Sequence, residues 1–545
     1  MHAATIVNVS LIVDVFRLTT PIAFWTRGYN GRFGGAPIRV PQGGTLRITL
    51  VNRLDGPDNG GPLNWFRNPN TTNLHLHGLH VSPSGKSDDV FRAVPPNTTA
   101  HYEYKIPIDH PAGLYWYHPH THGSSSLQQG GGMAGALVID PIDNSTIPPA
   151  LLAMEEEILL LQHLCFYNDG KYAVSTPYIN HLNVIKYGLD NMPPRPVYRF
   201  PNEHPDYYLV NGVLRPNITM RPGQWKRLRI IGAGTSAFLE LHLIVAATQR
   251  GERANASSSS SSPPPPRRRQ ATAANAGCEI LMLAKDGIYV TTAYAEDAPL
   301  LVPGGRIDVA VRCATDGTYS LISMPTTKYS NELAETTVVW EGVLLNLVVG
   351  GAAMTMASPS ALPPRPAYMP DLRNSTVPAS QQLSVALHSL GGPYTAGLPF
   401  PQHLIAVNGN PAVAFSSKDA YVHNMSVGVV EEWGVGIAGD SSVAAGNHPF
   451  HVHVNPYQIV SIDGYTANYS ILGVAVGEYR DTIPLWLGGR VLIRFQPDRY
   501  TGRALIHCHM IPHVDLGMAA VAYIGERKKK SDATPKVRRS HERAS

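Results

Sequence analysis

Cysteine is scarce in this 545-residue chain: Cys165, Cys278, Cys313 and Cys508 are the only four. So few thiols over such a length make no disulfide framework. Cys278 and Cys313 flank one strand-rich stretch and could pair, but buried thiols are the favoured reading. Charge is sparse as well, with Asp, Glu, Lys and Arg at 15%, which disfavours long solvent-facing helices. No apolar run reaches the roughly 18 residues of a membrane-spanning helix. The nearest, GVLLNLVVGGAAMTM at 342–356, is broken by Asn346 and paired glycines, so no membrane span is expected. The N-terminus lacks the basic start and clean apolar core of a signal peptide, because Asp14 and Arg17 interrupt it; its alternation suits a first strand. A broad basic surface is absent too. The formal charge of +4 arises in residues 527–545, which hold eight Lys or Arg against two acids and so carry +6, leaving −2 for the rest. A solvated tail is expected there, and no nucleic-acid partner.

Glycine (49) and proline (46) are plentiful, and the length suits about three domains. Together with β-rich runs bounded by Gly, Pro or Asp, this predicts an all-β protein. The first unit is expected over 1–146, closing at the strand GGMAGALVIDP. The second is expected over 152–356, with strands in YYLVNGVL, QWKRLRII, AFLELHLIV, CEILMLAKDGIYV and RIDVAVRC. It is interrupted at 249–277 by six serines, four prolines and three arginines in succession, a composition that cannot bury enough apolar surface to fold and is read as a disordered insertion. The third unit is expected over 379–526, ending in the strands ALIHCH and MAAVAYIG, with a disordered basic tail over 527–545. Nine Asn-x-Ser/Thr sequons (Asn8, Asn70, Asn97, Asn144, Asn217, Asn255, Asn374, Asn424 and Asn468) exceed the roughly four expected by chance and point to export.

The informative residues are histidines. Chance predicts about one His-x-His among 23 histidines, and there are five, in HLHGLH (75–80), WYHPHTHG (116–123), NHPFHVH (447–453) and HCHMIPHVDLGM (507–518). In a strand, residues i and i+2 share a face, so each pair presents two imidazoles side by side, a metal-chelating arrangement. In HCH the histidines share one face and Cys508 takes the other, so three consecutive residues can serve two metal centres. One thiolate, two imidazoles and a weak methionine form the ligand set of a blue-copper site, with His513 and Met518 downstream and His448 available as the second imidazole. Zinc is the alternative, but structural zinc usually recruits several thiolates.

These four motifs, in this order, resemble the multicopper oxidases, the family of laccases, ascorbate oxidases, bilirubin oxidases and ferroxidases. YYLVNGVLRPNITMRPGQ, LLVPGGRIDVAVRC and EYRDTIPLWLGGRVLIRF also look like its flanking sequences, so the resemblance covers nearly the whole chain. It implies three consecutive cupredoxin-like (plastocyanin-like) Greek-key β-sandwiches holding four copper ions. Type 1 copper would take His448, Cys508 and His513, with Met518 axial; type 2 would take His75 and His451. The type 3 pair would take His77, His118, His120, His453, His507 and His509. Electrons would cross from Cys508 to His507 and His509, over a distance on the order of 10 Å. Asp88 matches the position of an acid near the type 2 copper, with Asp89 as an alternative proton donor. Pro512 stands where many relatives have a second acid, and His80 and His122 are expected not to ligate. The implied activity is laccase-like: one-electron oxidation of phenols or aromatic amines, coupled to reduction of O2 to water by a monomer. A metallo-oxidase for Fe(II), Cu(I) or Mn(II) is the first alternative. A cupredoxin-fold binding protein that has lost its coppers is the second, disfavoured because no ligand is missing.

Overall fold

The computed structural model describes residues 5–21, 24–56, 58, 60–165, 206–246, 277–324, 340–390, 402–438, 447–464 and 473–527. The expected insertion at 249–277 and the tail at 527–545 lie, but for Gly277 and Arg527, outside the described residues, as do Asn255 and Asn468.

Among the described residues the chain forms six β-sheets, which fall along the sequence in three successive pairs. The first pair has four strands in each sheet; the second and third each have a six-stranded and a five-stranded sheet. The same wiring recurs each time. In one sheet the leading strand pairs parallel with a later one: Ile6–Leu18 with Thr45–Asn52, Glu155–Cys165 with Lys226–Gly232, and Gln382–Leu390 with Glu431–Ile437. In the facing sheet the closing strand returns parallel to an early one: Gly135–Asp140 beside Gly35–Pro41, Gly342–Val349 beside Asn217–Met220, and Ala519–Gly525 beside Tyr421–Ser426. The strand and turn signals predict the all-β class, and the threefold wiring is what the family resemblance implies.

Alternation explains each core. In Thr45–Asn52 the buried Leu46, Ile48 and Leu50 point inward against Leu76, Leu137 and Ile139 of the facing sheet. Trp433 and Val435 likewise meet Phe450, Ile506 and Cys508 in the third unit. A smaller cluster of Val90, Leu505, Val514, Ala519 and Val521, flanked by Phe91 and Phe415, joins the first unit to the third. Burial of such side chains contributes roughly 1.5–3 kcal/mol each, which holds two distant parts of the sequence together where the histidine motifs meet.

One expectation is corrected. Cys278 and Cys313 are not free thiols; they face each other in register on antiparallel strands Cys278–Lys285 and Arg306–Cys313 and form a disulfide. Strand pairing brings together two residues that composition alone gives no reason to join. Cys508 is free and buried.

Candidate copper centres

The facing sheets of the first and third units carry the histidine motifs. Strand His75–His77 pairs antiparallel with Gly113–His118, which puts His75 opposite His118. In the third unit, strand His448–Val452 lies beside Gly502–Cys508 with Phe450 opposite Cys508 and His451 opposite His507. Period two then sorts the side chains: Phe450, Val452 and Cys508 enter the third unit's core, while His451 and His507 face out of it toward the first unit. HCH thus turns Cys508 to one face of the strand and His507 to the other.

On the core side, Cys508 Sγ lies 3.5 Å from His448 Nδ1 and 3.7 Å from His513 Nδ1, and the two nitrogens are 3.2 Å apart. His513 comes from the short helix Ile511–Asp515, which folds back over Cys508. Met518 is fully buried in the same apolar cluster, and its carbonyl accepts the Cys508 N–H at 3.3 Å. The Met510 N–H donates to Cys508 Sγ at 3.3 Å, placing a dipole on the sulfur. Burial lowers His448 to about 3 and also lowers His513, so both imidazoles stay neutral and able to ligate. Burial pushes the Cys508 thiol up, so the free protein holds it protonated and a metal must displace that proton.

On the opposite side, eight buried histidines converge, four from each unit. His77 stacks on His451 at 3.9 Å and His75 on His453 at 4.2 Å, so rings from the two units interleave. Their nitrogens approach in pairs: His120 Nε2 to His507 Nε2 at 3.2 Å, His453 Nε2 to His507 Nε2 at 3.0 Å, and His77 Nδ1 to His509 Nε2 at 3.2 Å. Two nitrogens held about 2.0–2.1 Å from one ion, at an angle near 100°, stand roughly 3.1 Å apart. His75, His118 and His451 each leave a buried Nε2 without a hydrogen-bond partner, while their other nitrogens are engaged. Nδ1 of His75 bonds Asp88 at 2.8 Å, that of His118 the Pro119 carbonyl at 3.0 Å, and that of His451 the Asp481 carbonyl at 2.8 Å. Fixing one nitrogen fixes the tautomer and aims the other. Buried nitrogens without partners are costly in an apolar interior; an unsatisfied set of this density fits metal. Burial drives all eight below the ordinary histidine value, His120 to about 4, so none is cationic near neutral pH.

Asp88 points at this centre. Besides His75 it accepts the Leu76 N–H at 2.9 Å, and burial raises it to about 8. Asp89 instead caps its own turn, accepting the Phe91 N–H at 3.1 Å. His122 bonds Asn64 Oδ1 at 2.9 Å and packs on Phe415, and His80 bonds the Val454 carbonyl at 2.9 Å, both away from the nitrogen cluster. Four residues escape sequence reasoning. Asp481 Oδ1 lies 3.3 Å from His77 Nε2, and Arg306 pairs with that carboxylate. Ser389 Oγ sits 3.2 Å from His448 Nε2 and 3.1 Å from His403 Nδ1, and His403 stacks on His513 at 3.9 Å. None belongs to a spaced motif.

Two stretches match the multicopper oxidase family, residues 23–144 and 394–528. A laccase of Bacillus stratosphericus is 23% identical over 93% of this chain and 92% of its own length. Among solved structures, a multicopper oxidase from Campylobacter jejuni described as a metallo-oxidase covers 97% of this chain and 93% of its own, with TM-score 0.64 and 19% identity. A laccase from Pediococcus acidilactici covers 95% and 90%, with TM-score 0.64 and 20% identity. These structures share the fold of three cupredoxin-like sandwiches. With both matched stretches bearing the buried histidine clusters described above, the chain belongs to the multicopper oxidase family, copper-dependent oxidoreductases that use O2 as electron acceptor.

Proposed function

We propose that the protein is a laccase-like oxidase, removing single electrons from phenols or aromatic amines and delivering four to O2 to form two waters. The observation that carries this reading is the position of Cys508, with its sulfur in a two-histidine site and its chain neighbours His507 and His509 in the eight-histidine cluster. His448, Cys508, His513 and Met518 would hold a type 1 copper, His75 and His451 a type 2 copper, and His77, His118, His120, His453, His507 and His509 a type 3 pair. Bound there, four coppers supply four one-electron carriers, the number needed to reduce O2 to water.

The protein's own groups supply the rest. His507 Nδ1–H donates to the Cys508 carbonyl at 2.8 Å, so a hydrogen bond as well as the covalent chain joins the sulfur side to the cluster side. The thiolate and imidazoles are soft or borderline donors that suit copper. Asp88 holds a proton at the His75 end, and its burial keeps that proton exchangeable near neutral pH. A cavity of about 360 Å3 between the first and third units reaches His120, with Asn73, Arg67, His122 and Phe415 in its wall. It offers a small molecule a way to the cluster.

The substrate reading rests on what packs against the type 1 imidazoles. Besides Cys508, the polar side chains meeting these imidazoles are Ser389 and His403, and among the described residues no carboxylate lies within hydrogen-bond or ion-pair distance of His448 or His513. Met356 packs by Trp225 and Met354 lies beside Pro222, both in the middle unit and away from that site. A site selecting Fe(II) or Mn(II) needs hard oxygen ligands. Oxygen uptake by copper-loaded protein with a phenol and with Fe(II) at equal concentration tests the choice, Cys508→Ser serving to subtract autoxidation. A faster phenol rate is expected; a faster Fe(II) rate moves the protein to the metallo-oxidases.

Export and a monomeric state complete the proposal. The Cys278–Cys313 disulfide fits an oxidising compartment. Asn8, Asn97, Asn144, Asn217, Asn374 and Asn424 are exposed, whereas Asn70 is buried and held by Arg27 and Asn52. Among the described residues no helix is long and apolar enough to cross a membrane. Peptide mass mapping before and after deglycosylation should find glycans at exposed sequons and none at Asn70.

A further inference from the structure

We propose that Arg306, in the unit that contributes no ligand, is a positioning residue for the eight-histidine centre and acts through Asp481. The inference rests on reading those histidines as copper ligands.

Arg306 opens strand Arg306–Cys313 of the middle unit and is fully buried. Its guanidinium grips Asp481 with two parallel hydrogen bonds, Nη1 to Oδ1 at 2.6 Å and Nη2 to Oδ2 at 2.5 Å. This bidentate fork fixes the carboxylate in direction as well as in place. Asp481 belongs to the third unit, and its Oδ1 lies 3.3 Å from Nε2 of His77 in the first unit. Its main-chain carbonyl accepts His451 Nδ1–H at 2.8 Å. Thr482 closes the group: its hydroxyl donates to Asp481 Oδ1 at 2.8 Å and lies 3.3 Å from His77 Nε2 and 3.1 Å from His451 Nδ1. One arginine thus meets, through one aspartate, a histidine from each of the other two units: His77 by the carboxylate and His451 by the main-chain carbonyl.

The consequence is specific to two rings. With Nε2 turned to Asp481, His77 presents Nδ1 to His509; His120, His453, His507 and His509 meet their neighbours through Nε2. His77 also stacks on His451, so displacement of the carboxylate moves a type 3 and a type 2 ligand together. His77, His451 and Asp481 have ligand atoms within 4.8 Å of one another. A carboxylate released from Arg306 would therefore compete for metal that the imidazoles should hold. The backbone is shaped for the contact: Gly78, directly after His77, has φ +88°, and a Cβ there would strike the Arg306 guanidinium and the Asp481 carboxylate. The charges are balanced by Asp286, whose Oδ1 lies 3.7 Å from Arg306 Nη1 and accepts the Arg306 main-chain N–H at 3.1 Å, and whose Oδ2 accepts Arg480 Nε–H at 2.7 Å.

A merely structural arginine would pin the units together without tuning the metal, and a nearby pair separates the two roles. Lys285 and Glu478 form a partly buried ion pair between the same middle and third units at 3.0 Å. The experiment uses copper-loaded full chain with Arg306→Met, Arg306→Lys, Asp481→Asn, the double variant Arg306→Met/Asp481→Asn and Lys285→Met. Copper per chain, chelator resistance, the type 2 electron paramagnetic resonance signal and the type 1 blue absorption are read on each. Arg306→Met should keep the blue band, change the type 2 signal, and yield cluster copper to chelator at ten- to a hundredfold lower concentration. Arg306→Lys should recover part of the loss, and the double variant should be no worse than Asp481→Asn alone. Lys285→Met should leave the type 2 signal unchanged. A wild-type signal and chelator resistance in Arg306→Met, or in Arg306→Lys and Asp481→Asn if the methionine variant does not fold, overturns the inference. So does a loss in Lys285→Met equal to that in Arg306→Met. Absence of cluster copper in the unaltered protein would instead refute the copper reading itself.

Discussion

Removing copper should turn the eight-histidine centre into an acid-labile joint. In the metal-free protein burial holds all eight imidazoles neutral. The unfolded chain protonates the same residues at the ordinary value of about 6.5. Below that pH the unfolded state takes up protons that the folded state refuses, so stability falls as pH falls. Lowering pH from 7.5 to 5.5 costs about 1.4 kcal/mol for each histidine that stays neutral. Eight at that cost set a ceiling of about 11 kcal/mol, comparable with the whole stability of a typical domain. Water entering the opened cluster solvates the imidazolium and reduces the cost. Even a quarter of the ceiling, about 3 kcal/mol, lowers Tm by roughly 6–12 °C at 2–4 °C per kcal/mol. Copper opposes this by binding only the folded, deprotonated set. Thermal unfolding of stripped and copper-loaded protein at pH 7.5, 6.5 and 5.5, followed by circular dichroism, measures both slopes. The stripped protein should lose Tm steeply below pH 6.5 and the loaded protein much less. Parallel slopes would refute the claim that these histidines are desolvated ligands.

Other consequences are separable. Cys508→Ser should abolish substrate oxidation and the blue band while metal analysis still finds the cluster coppers. Met518→Leu should raise the type 1 potential by removing the axial donor, which a redox titration reads directly; an unchanged or lower potential speaks against axial coordination. Asp88→Asn should slow reoxidation by O2 on the order of 10²–10⁴-fold, while anaerobic bleaching of the blue band by a phenol keeps its rate. Replacing Cys278 and Cys313 with alanine opens a loop of 35 residues. Loop entropy then predicts a loss of about 4 kcal/mol, seen as a lower denaturation midpoint without loss of activity.

The twelve proposed ligands are legible in the sequence because the chemistry demands them close together along the chain. A strand puts i and i+2 on one face, so His75 and His77, or His507 and His509, announce themselves as pairs. Asp88 is legible only through the family resemblance, since nothing local distinguishes it from Asp89; burial against His75 does. Arg306 and Asp481 are 175 residues apart, and each is one ordinary charged residue in a strand-rich run, so no spacing rule connects them. Ser389 and His403 reach the type 1 imidazoles by the hairpin pairing of strands Gln382–Leu390 and Gln402–Val407, which places Ser389 opposite His403. The sequence names Cys278 and Cys313 as a possible pair but cannot decide it, because strand register sets the disulfide and residue count does not.

The stoichiometry of oxygen consumption tests the central claim most directly. Copper-loaded protein oxidising a phenol in a closed electrode chamber should consume one O2 for every four one-electron oxidations and release no hydrogen peroxide. A ratio of one to two with peroxide accumulating, from protein holding its full copper, would contradict a four-electron centre built from the eight histidines.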